Sequence, residues 1–374
     1  MPGLISPSIR SSLPPLPFIF PSRFPLKREV AFAPQMVLEA CRMAEEIRSH
    51  PPMWCERKWD GSQVSVADFA IQYVCTRKLA VSFPGDVILS EEDGRTLEQQ
   101  FPPKARKAVV DVIRRHDKRF HPKHLEAWIE KGRSPLPSSR YWTSDPIDVT
   151  AEFIKGGQYS VNLALSEDGG IKIGVIGCPN MKLPHSPPSN RGELLVAVQG
   201  YGAWSCGLTE DDQFHRLHVS DRHSLSQALW ALPLRDKSPR FTDQDYHLVR
   251  GCLEVFGKVV GGVRRAVSPV RYAWVAAGLA DFFINFRLDC INSPFYVHDH
   301  AAGVLLVQEA GGTVTTLRRR PLDFRTPPWM GELFGLLVSN SPLENPSLHD
   351  EVLSRFRRVA WDVFPVEKRR ELYK

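Results

Sequence analysis

The chain has 374 residues, long for one core, so two domains are the expectation. Its 48 basic and 42 acidic residues give a net charge of +6, but residues 1–28 carry four bases (Arg10, Arg23, Lys27, Arg28) and no acid, which leaves 44 against 42 in the body. A near-neutral body speaks against a nucleic-acid polymer as partner, and no apolar run nears the ~18–20 residues of a membrane span. The seven cysteines follow neither C-x-x-C nor zinc spacing and read as reduced thiols of a non-secretory compartment.

In chain order, segment 1–28 is rich in Ser, Pro and Arg. It reads as a disordered organelle transit peptide, for mitochondrion or chloroplast; a tail that targets nothing has the same composition. From Pro34 to His50, Val37, Leu38, Cys41, Ala44 and Ile47 recur at helical spacing, and Pro51-Pro52 ends that helix. Asp60-Gly61 follows as a turn, with Asp60 either a base or weak metal contact or simply a turn residue. Ser65 is placed to cap a helix from Val66, with Asp68 in its first turn. Val87–Leu89 is a short buried strand. Its acidic end, Glu91-Glu92-Asp93, is either a solvated loop or the source of one more metal carboxylate. A Lys- and Arg-rich helix is expected within 101–140.

Next comes Trp142-Thr143-Ser144-Asp145-Pro146-Ile147-Asp148-Val149-Thr150. Asp145 and Asp148 stand three apart, Pro146 stiffens the backbone between them, and Thr150 opens a short helix. Carboxylates at a strand end suit Mg²⁺, which binds through a few carboxylates plus a substrate phosphate; an Asp-Pro turn with Thr150 as N-cap is the plain alternative. Tyr159–Leu165 and Ile171–Ile176 alternate as strands around the turn Glu167-Asp168-Gly169-Gly170, and Leu194–Val198 and Gly202–Ser205 continue an antiparallel sheet flanked by helices. Past about Val219 the pattern changes: a helix over Gln244–Val260, a strand-to-helix passage at Arg264–Tyr272, a small-residue helix over Ala273–Leu279 and a strand over Ala280–Phe286. Val297–Gly303 then opens a helix over Val304–Ala310, so Asp299 stands at a helix start, and Gly311-Gly312 stops it. His298 and His300, two apart on a helix, point in different directions and are not expected to share a zinc ion.

Together these pieces resemble the lithium-sensitive, Mg²⁺-dependent phosphatases related to inositol monophosphatase. They are Asp60 before G-S-x-V-S-x-A-D, Glu91-Glu92, D-P-I-D-x-T, and D-H-A-A-G followed by E-A-G-G. Three further runs point to the 3′(2′),5′-bisphosphate nucleotidases in plant-like form: Trp128–Arg133, Gly177-Cys178-Pro179-Asn180 and Ser268-Pro269-Val270-Arg271-Tyr272. The resemblance implies a layered α-β-α-β-α sandwich, shared with the fructose-1,6-bisphosphatase type, in which an α+β half (29–218) meets an α/β half (219–374). It implies two or three Mg²⁺ held by Glu91, Asp145, the Ile147 carbonyl, Asp148 and Asp299. Asp60 and Thr150 would activate the attacking water. Thr150, Ser268, Arg271 and Asp299 would contact the substrate. The implied reaction converts adenosine 3′,5′-bisphosphate to AMP, with its sulfated analogue a further substrate, in a monomer of sulfur metabolism acting on small molecules away from membranes. An inositol-phosphate phosphatase and a catalytically impaired nucleotide- or metal-binding member are the alternatives.

Several positions depart from the family pattern. Val149 stands where Gly is usual, and a β-branched residue is unsuited to positive φ and brings methyls toward the anion. His298 replaces Trp, Asn285 replaces a phosphate-binding Arg, and Arg271 stands where Lys is usual. Val149 favours the impaired alternative. The intact carboxylates favour activity, because clustered like charges are costly without a metal to neutralise them.

Overall fold

The computed structural model describes residues 9–50, 53–59, 61–133, 138–209, 213–233, 242–287, 294–330 and 334–363. The elements in order are α1 (Lys27–Ser49), β1 (Cys55–Arg57), β2 (Gln63–Ser65), α2 (Val66–Ser82), β3 (Val87–Ser90), α3 (Gly94–Gln100), α4 (Pro103–His116), α5 (Leu125–Lys131), β4 (Arg140–Asp148), α6 (Thr150–Ile154), β5 (Ser160–Glu167) and β6 (Gly170–Cys178). Then follow β7 (Glu193–Val198), β8 (Gly202–Gly207), β9 (His215–Arg216), β10 (Leu229–Pro233), α7 (Asp243–Phe256), β11 (Gly262–Ala266), α8 (Ser268–Ala276), β12 (Phe282–Phe286), α9 (Val297–Glu309), β13 (Thr313–Thr316), β14 (Gly335–Ser339) and α10 (Ser347–Val363).

A seven-stranded sheet runs β3-β4-β5-β6-β7-β8-β9, and a five-stranded sheet runs β11-β10-β12-β14-β13. In the first, only β3 and β4 pair in parallel, so both strands deliver their C-terminal ends to the same edge. Its remaining strands are a meander; the β5–β6 turn places Asp168 at φ 52° and Gly169 at φ 77°, as a two-residue hairpin turn demands. Helices α1 and α2 bury their apolar sides on one face of this sheet. Helices α8 and α9 fill the space between the two sheets, and α7 and α10 cover the far face of the five-stranded sheet. The result is the layered α-β-α-β-α sandwich. Close approach of α9 explains two glycines: a Cβ on Gly174 would sit 2.8 Å from the Ala302 carbonyl oxygen, and one on Gly303 would strike the Tyr272 ring.

Two sequence expectations change. Helix α1 starts at Lys27, seven residues before the expected Pro34, and carries Pro34 inside it. The hydrogen bond that Pro34 forfeits is offset by burial of Val30, Ala33 and Pro34 and by the Glu29–Arg140 ion pair at 2.7 Å. Residues 9–26 are not a free tail. Phe20 and Phe24 stack at 4.2 Å, Tyr201 packs edge-on against both, and Phe18 packs against Trp204, while the Arg10 N–H donates to the Leu208 carbonyl. Aromatic area outweighs the Pro- and Ser-rich composition here. Among the described residues no helix is long and apolar enough to cross a membrane.

Candidate metal and phosphate site

The parallel β3–β4 pair builds the site. Glu91 follows the end of β3, and Asp145, Ile147 and Asp148 occupy the end of β4, where the pairing with β5 shifts register between Asp145 and Asp148. The start of β4 is anchored: Trp142 is fully buried, its Nε1–H donating to Asp86 at 2.9 Å, and the Arg140 guanidinium pairs with Glu29, Asp86 and Glu167. From the second half, α9 contributes Asp299. That helix starts at Val297, seven residues before the expected Val304, so His298 and Asp299 both lie in its first turn.

Two overlapping groups of donors converge. Asp145, Asp148 and Asp299 bring ligand atoms within 4.8 Å of one another, and so do Glu91, Asp145 and His298, with Asp145 common to both. Asp145 is 1% exposed and its Oδ1 is buried without a hydrogen-bond partner. Burial first, then the charges of Glu91, Asp148 and Asp299, push its carboxyl well above the ordinary carboxylate range. An orphaned buried oxygen facing three more acids is what a divalent cation satisfies, and oxygen-rich sets suit hard ions. The Ile147 carbonyl accepts from the Thr150 hydroxyl at 3.1 Å and retains a second lone pair for an ion. The acidic run separates into three roles. Glu91 faces the cluster, Glu92 is buried, and Asp93 caps α3 by accepting from the Thr96 N–H. Lys58 donates to Glu91 at 2.7 Å and to Glu92 at 2.8 Å. Burial works against the Lys58 charge, but the two carboxylates outweigh it and hold its pKa well above the ordinary lysine value.

The cleft over these groups measures about 520 Å³ and is lined by the four carboxylates, Ile147, Val149, Thr150 and the cations Arg57, Lys155 and Arg287, among others. A larger cavity of about 1070 Å³, beneath residues 9–15, is lined by Arg42, Glu45, Glu46, Arg48 and Arg191, where Glu45 pairs with Arg48 and Arg191; the clustered carboxylates lie elsewhere. Val149 has not shifted its loop to avoid positive φ: it sits at φ 66°, ψ 53° ahead of Thr150.

Thr150 also reveals a partner that local reading of the sequence missed. Its hydroxyl lies 3.2 Å from Asp68 Oδ1, while Asp68 Oδ2 accepts from the Ser65 N–H and hydroxyl in the capping box of α2. Burial raises the Asp68 carboxyl to about 7. The capping role accounts for Asp68 locally, and only the fold brings Thr150 to its other oxygen. Asp60 lies outside the described residues, as does the side chain of Ser268, whose backbone opens α8. Arg271 is 4% exposed, stacks 4.7 Å over the Phe283 ring, leaves Nε and Nη1 unpartnered, and is not on the cleft wall. Its burial lowers its pKa to about 10, with the charge of Asp148 acting the other way. His298 and His300 part company: His300 is buried against the Tyr272 hydroxyl at 2.9 Å, and His298 faces Glu91 and Asp145.

Fold and cleft thus define a layered α/β protein with a carboxylate cluster and a cationic rim between its two halves. The sequence model of the inositol monophosphatase family matches residues 31–359, and the chain belongs to that family. Curated relatives include a 3′(2′),5′-bisphosphate nucleotidase of Dictyostelium discoideum, 30% identical over 79% of this chain and 87% of the relative. A 3′,5′-bisphosphate nucleotidase of Arabidopsis thaliana is 31% identical over 71% of this chain and 79% of its own length. Among solved structures, an IMPase of Thermotoga maritima superposes with a TM-score of 0.61 at 21% identity, covering 90% of this chain and all of that one; this likeness speaks to the fold alone.

Proposed function

We propose that the protein is a phosphomonoester hydrolase that removes the 3′-phosphate of adenosine 3′,5′-bisphosphate. The observation that carries the chemistry is the unpartnered, buried Asp145 Oδ1 among Glu91, Asp148 and Asp299 beneath a rim of Arg57, Lys155 and Arg287. The names of the curated relatives support the substrate class. Glu91, Asp145, Asp148, Asp299 and the Ile147 carbonyl would hold Mg²⁺. Bound there, the ions would neutralise charge on the phosphate and make water more acidic. The chain's own groups do the rest. The rim cations attract and seat the phosphates. The Thr150 oxygen would accept from the attacking water; its single proton is shared between the Ile147 carbonyl and Asp68 Oδ1, and when it turns to Asp68 the buried carboxyl can take up a proton relayed through Thr150. Both phosphate-cleft halves are needed, since Asp299 comes from α9 and the other carboxylates from β3 and β4. A monomer suffices for the site, since all four carboxylates come from one chain.

A second reading, a member that binds metal and nucleotide without turnover, is favoured by one observation: the branched Val149 side chain lines the cleft. Phosphate release from adenosine 3′,5′-bisphosphate by the full chain separates the two. Release that requires Mg²⁺, is inhibited by Li⁺ and vanishes in Asp145→Asn supports the first. Silence from the parent with release from Val149→Gly supports the second. Silence from both sends the question to inositol phosphates.

A further inference from the structure

His298 has a position that the carboxylate chemistry alone does not use. It lies in the first turn of α9, with its side chain 11% exposed. Its ring stacks on Tyr296 with centroids 5.2 Å apart and planes 15° apart, which fixes the plane of the imidazole. A ring nitrogen comes within 4.8 Å of ligand oxygens of both Glu91 and Asp145, a span that one ion can bridge. Nε2 stands 3.5 Å from Asp299 Oδ1, too long for a good hydrogen bond, so the imidazole is not committed to that carboxylate. Independently, Asp145 Oδ1 is buried and lacks any partner. Helix geometry alone sends His300 into the core, so only one histidine of the triplet reaches the cluster.

We propose that His298 is a nitrogen ligand in the Glu91–Asp145 half of the metal centre, which makes that half a mixed nitrogen–oxygen site that gains affinity for first-row transition ions, Mn²⁺ included, relative to Mg²⁺. Imidazole suits first-row transition ions, whereas Mg²⁺ takes oxygen donors and keeps its waters, so one imidazole biases selection without abolishing Mg²⁺ binding. The Asp145–Asp148–Asp299 half, all oxygen, keeps the preference for hard ions. The inference rests on the metal-centre reading above, and the test separates the two.

The test is pulsed EPR on the full chain loaded with Mn²⁺, with Mn²⁺ and Mg²⁺ affinities measured by calorimetry. The variants are His298→Phe, which keeps a ring on Tyr296, His298→Gln, which keeps a polar donor without a ring nitrogen, and Asp145→Asn; circular dichroism and thermal melts check folding. The wild type is expected to show ¹⁴N modulation from a coordinated imidazole. Both His298 variants should lose it, with Mn²⁺ affinity falling on the order of tenfold and Mg²⁺ affinity moving much less. Mn²⁺ binding that is lost in Asp145→Asn but shows no ¹⁴N modulation in the wild type overturns the role of His298 and leaves the metal centre standing. Modulation that persists in both folded His298 variants overturns it too, since it then comes from another histidine. No Mn²⁺ or Mg²⁺ binding at all removes the metal centre and the inference with it.

Discussion

Replacing Val149 tests the backbone of the phosphate cleft through the sign of a difference. At φ 66°, ψ 53° this residue occupies the left-handed region, which costs a residue with a Cβ about 1–2 kcal/mol, and branching at Cβ adds crowding. Val149→Gly removes that strain. It also frees the unfolded chain, at about 0.5–1 kcal/mol, and gives up a half-buried contact with the inter-sheet core, on the order of 1 kcal/mol. The three contributions nearly cancel, so the glycine variant should unfold within roughly 1 kcal/mol of the parent. Val149→Ala keeps the strain and loses most of the contact. At an ordinary φ, alanine is more stable than glycine by about 0.5–1 kcal/mol; here the left-handed penalty reverses the order, and glycine should exceed alanine by about 0.5–1 kcal/mol. Urea unfolding of the three proteins, with m-values compared, measures this directly. Alanine as stable as glycine or more so would show that residue 149 does not hold positive φ, and the account of a strained turn beside the phosphate would fall. Phosphate release in the same series reports whether the methyls also obstruct the substrate.

Four further outcomes follow from the same geometry. Asp145→Asn should lower phosphate release at least about a thousandfold, the equivalent of roughly 4 kcal/mol, yet stabilise the metal-free protein by on the order of 1 kcal/mol, because a buried like-charged carboxylate is removed; a variant that is less stable without metal would contradict this. Asp68→Asn should cut kcat by about 10²–10³-fold with KM little changed, while Ser65→Ala, which disturbs the same helix cap, should cost about 1 kcal/mol of stability and leave kcat near the parent's; parallel effects in both variants would reduce Asp68 to a cap. Deleting residues 1–26 strips Phe18, Phe20 and Phe24 from Tyr201 and Trp204 and should destabilise the chain by about 3 kcal/mol or more; an unchanged urea midpoint would return this segment to the status of a tail. His349 is buried neutral between the Thr315 and Ser339 hydroxyls, and burial lowers its pKa from 6.5 to about 4. A depressed histidine stabilises fully above pH 6.5 and loses that contribution as pH falls toward 4, up to roughly 3 kcal/mol; urea unfolding between pH 7 and 4.5 should show a slope that flattens in His349→Gln.

What the sequence disclosed and what it hid divide by distance along the chain. The Ser65 cap, the Asp168-Gly169 turn and the carboxylates ending β4 are settled by residues within a few positions of one another, and each was legible. The Asp68–Thr150 contact spans 82 positions, and the capping box already accounts for Asp68 locally, so nothing nearby signals a second role. The docking of residues 9–26 was hidden for the same reason: composition averages over a window, whereas three phenylalanines meeting Tyr201 and Trp204 across the fold decide the outcome. The early start of α9 was obscured by His298-Asp299-His300, whose polarity interrupts the apolar pattern and set the expected helix body at Val304. In the fold, Val297, Ala301, Ala302 and His300 are buried, and their packing between the sheets carries the helix back to Tyr296. That one shift places His298 beside the carboxylates.

The arrangement of the cleft ties binding to folding. Burying Asp145 and gathering Glu91, Asp148 and Asp299 around it raises the free energy of the native state; burial first, then the neighbouring charges, push its carboxyl upward. Lys58 offsets part of this on the Glu91 side, and Arg271 acts on Asp148 from the other. The repulsion among Asp145, Asp148 and Asp299 falls where the end of β4 faces α9. A divalent cation held by these carboxylates would remove it and would tie α9 to β4, so its binding energy would appear as stability of that junction. Chelation should then loosen the α9–β4 contact before the cores on the outer faces of the sheets, and hydrogen exchange in α9 should rise on metal removal while β6 and β7 remain protected.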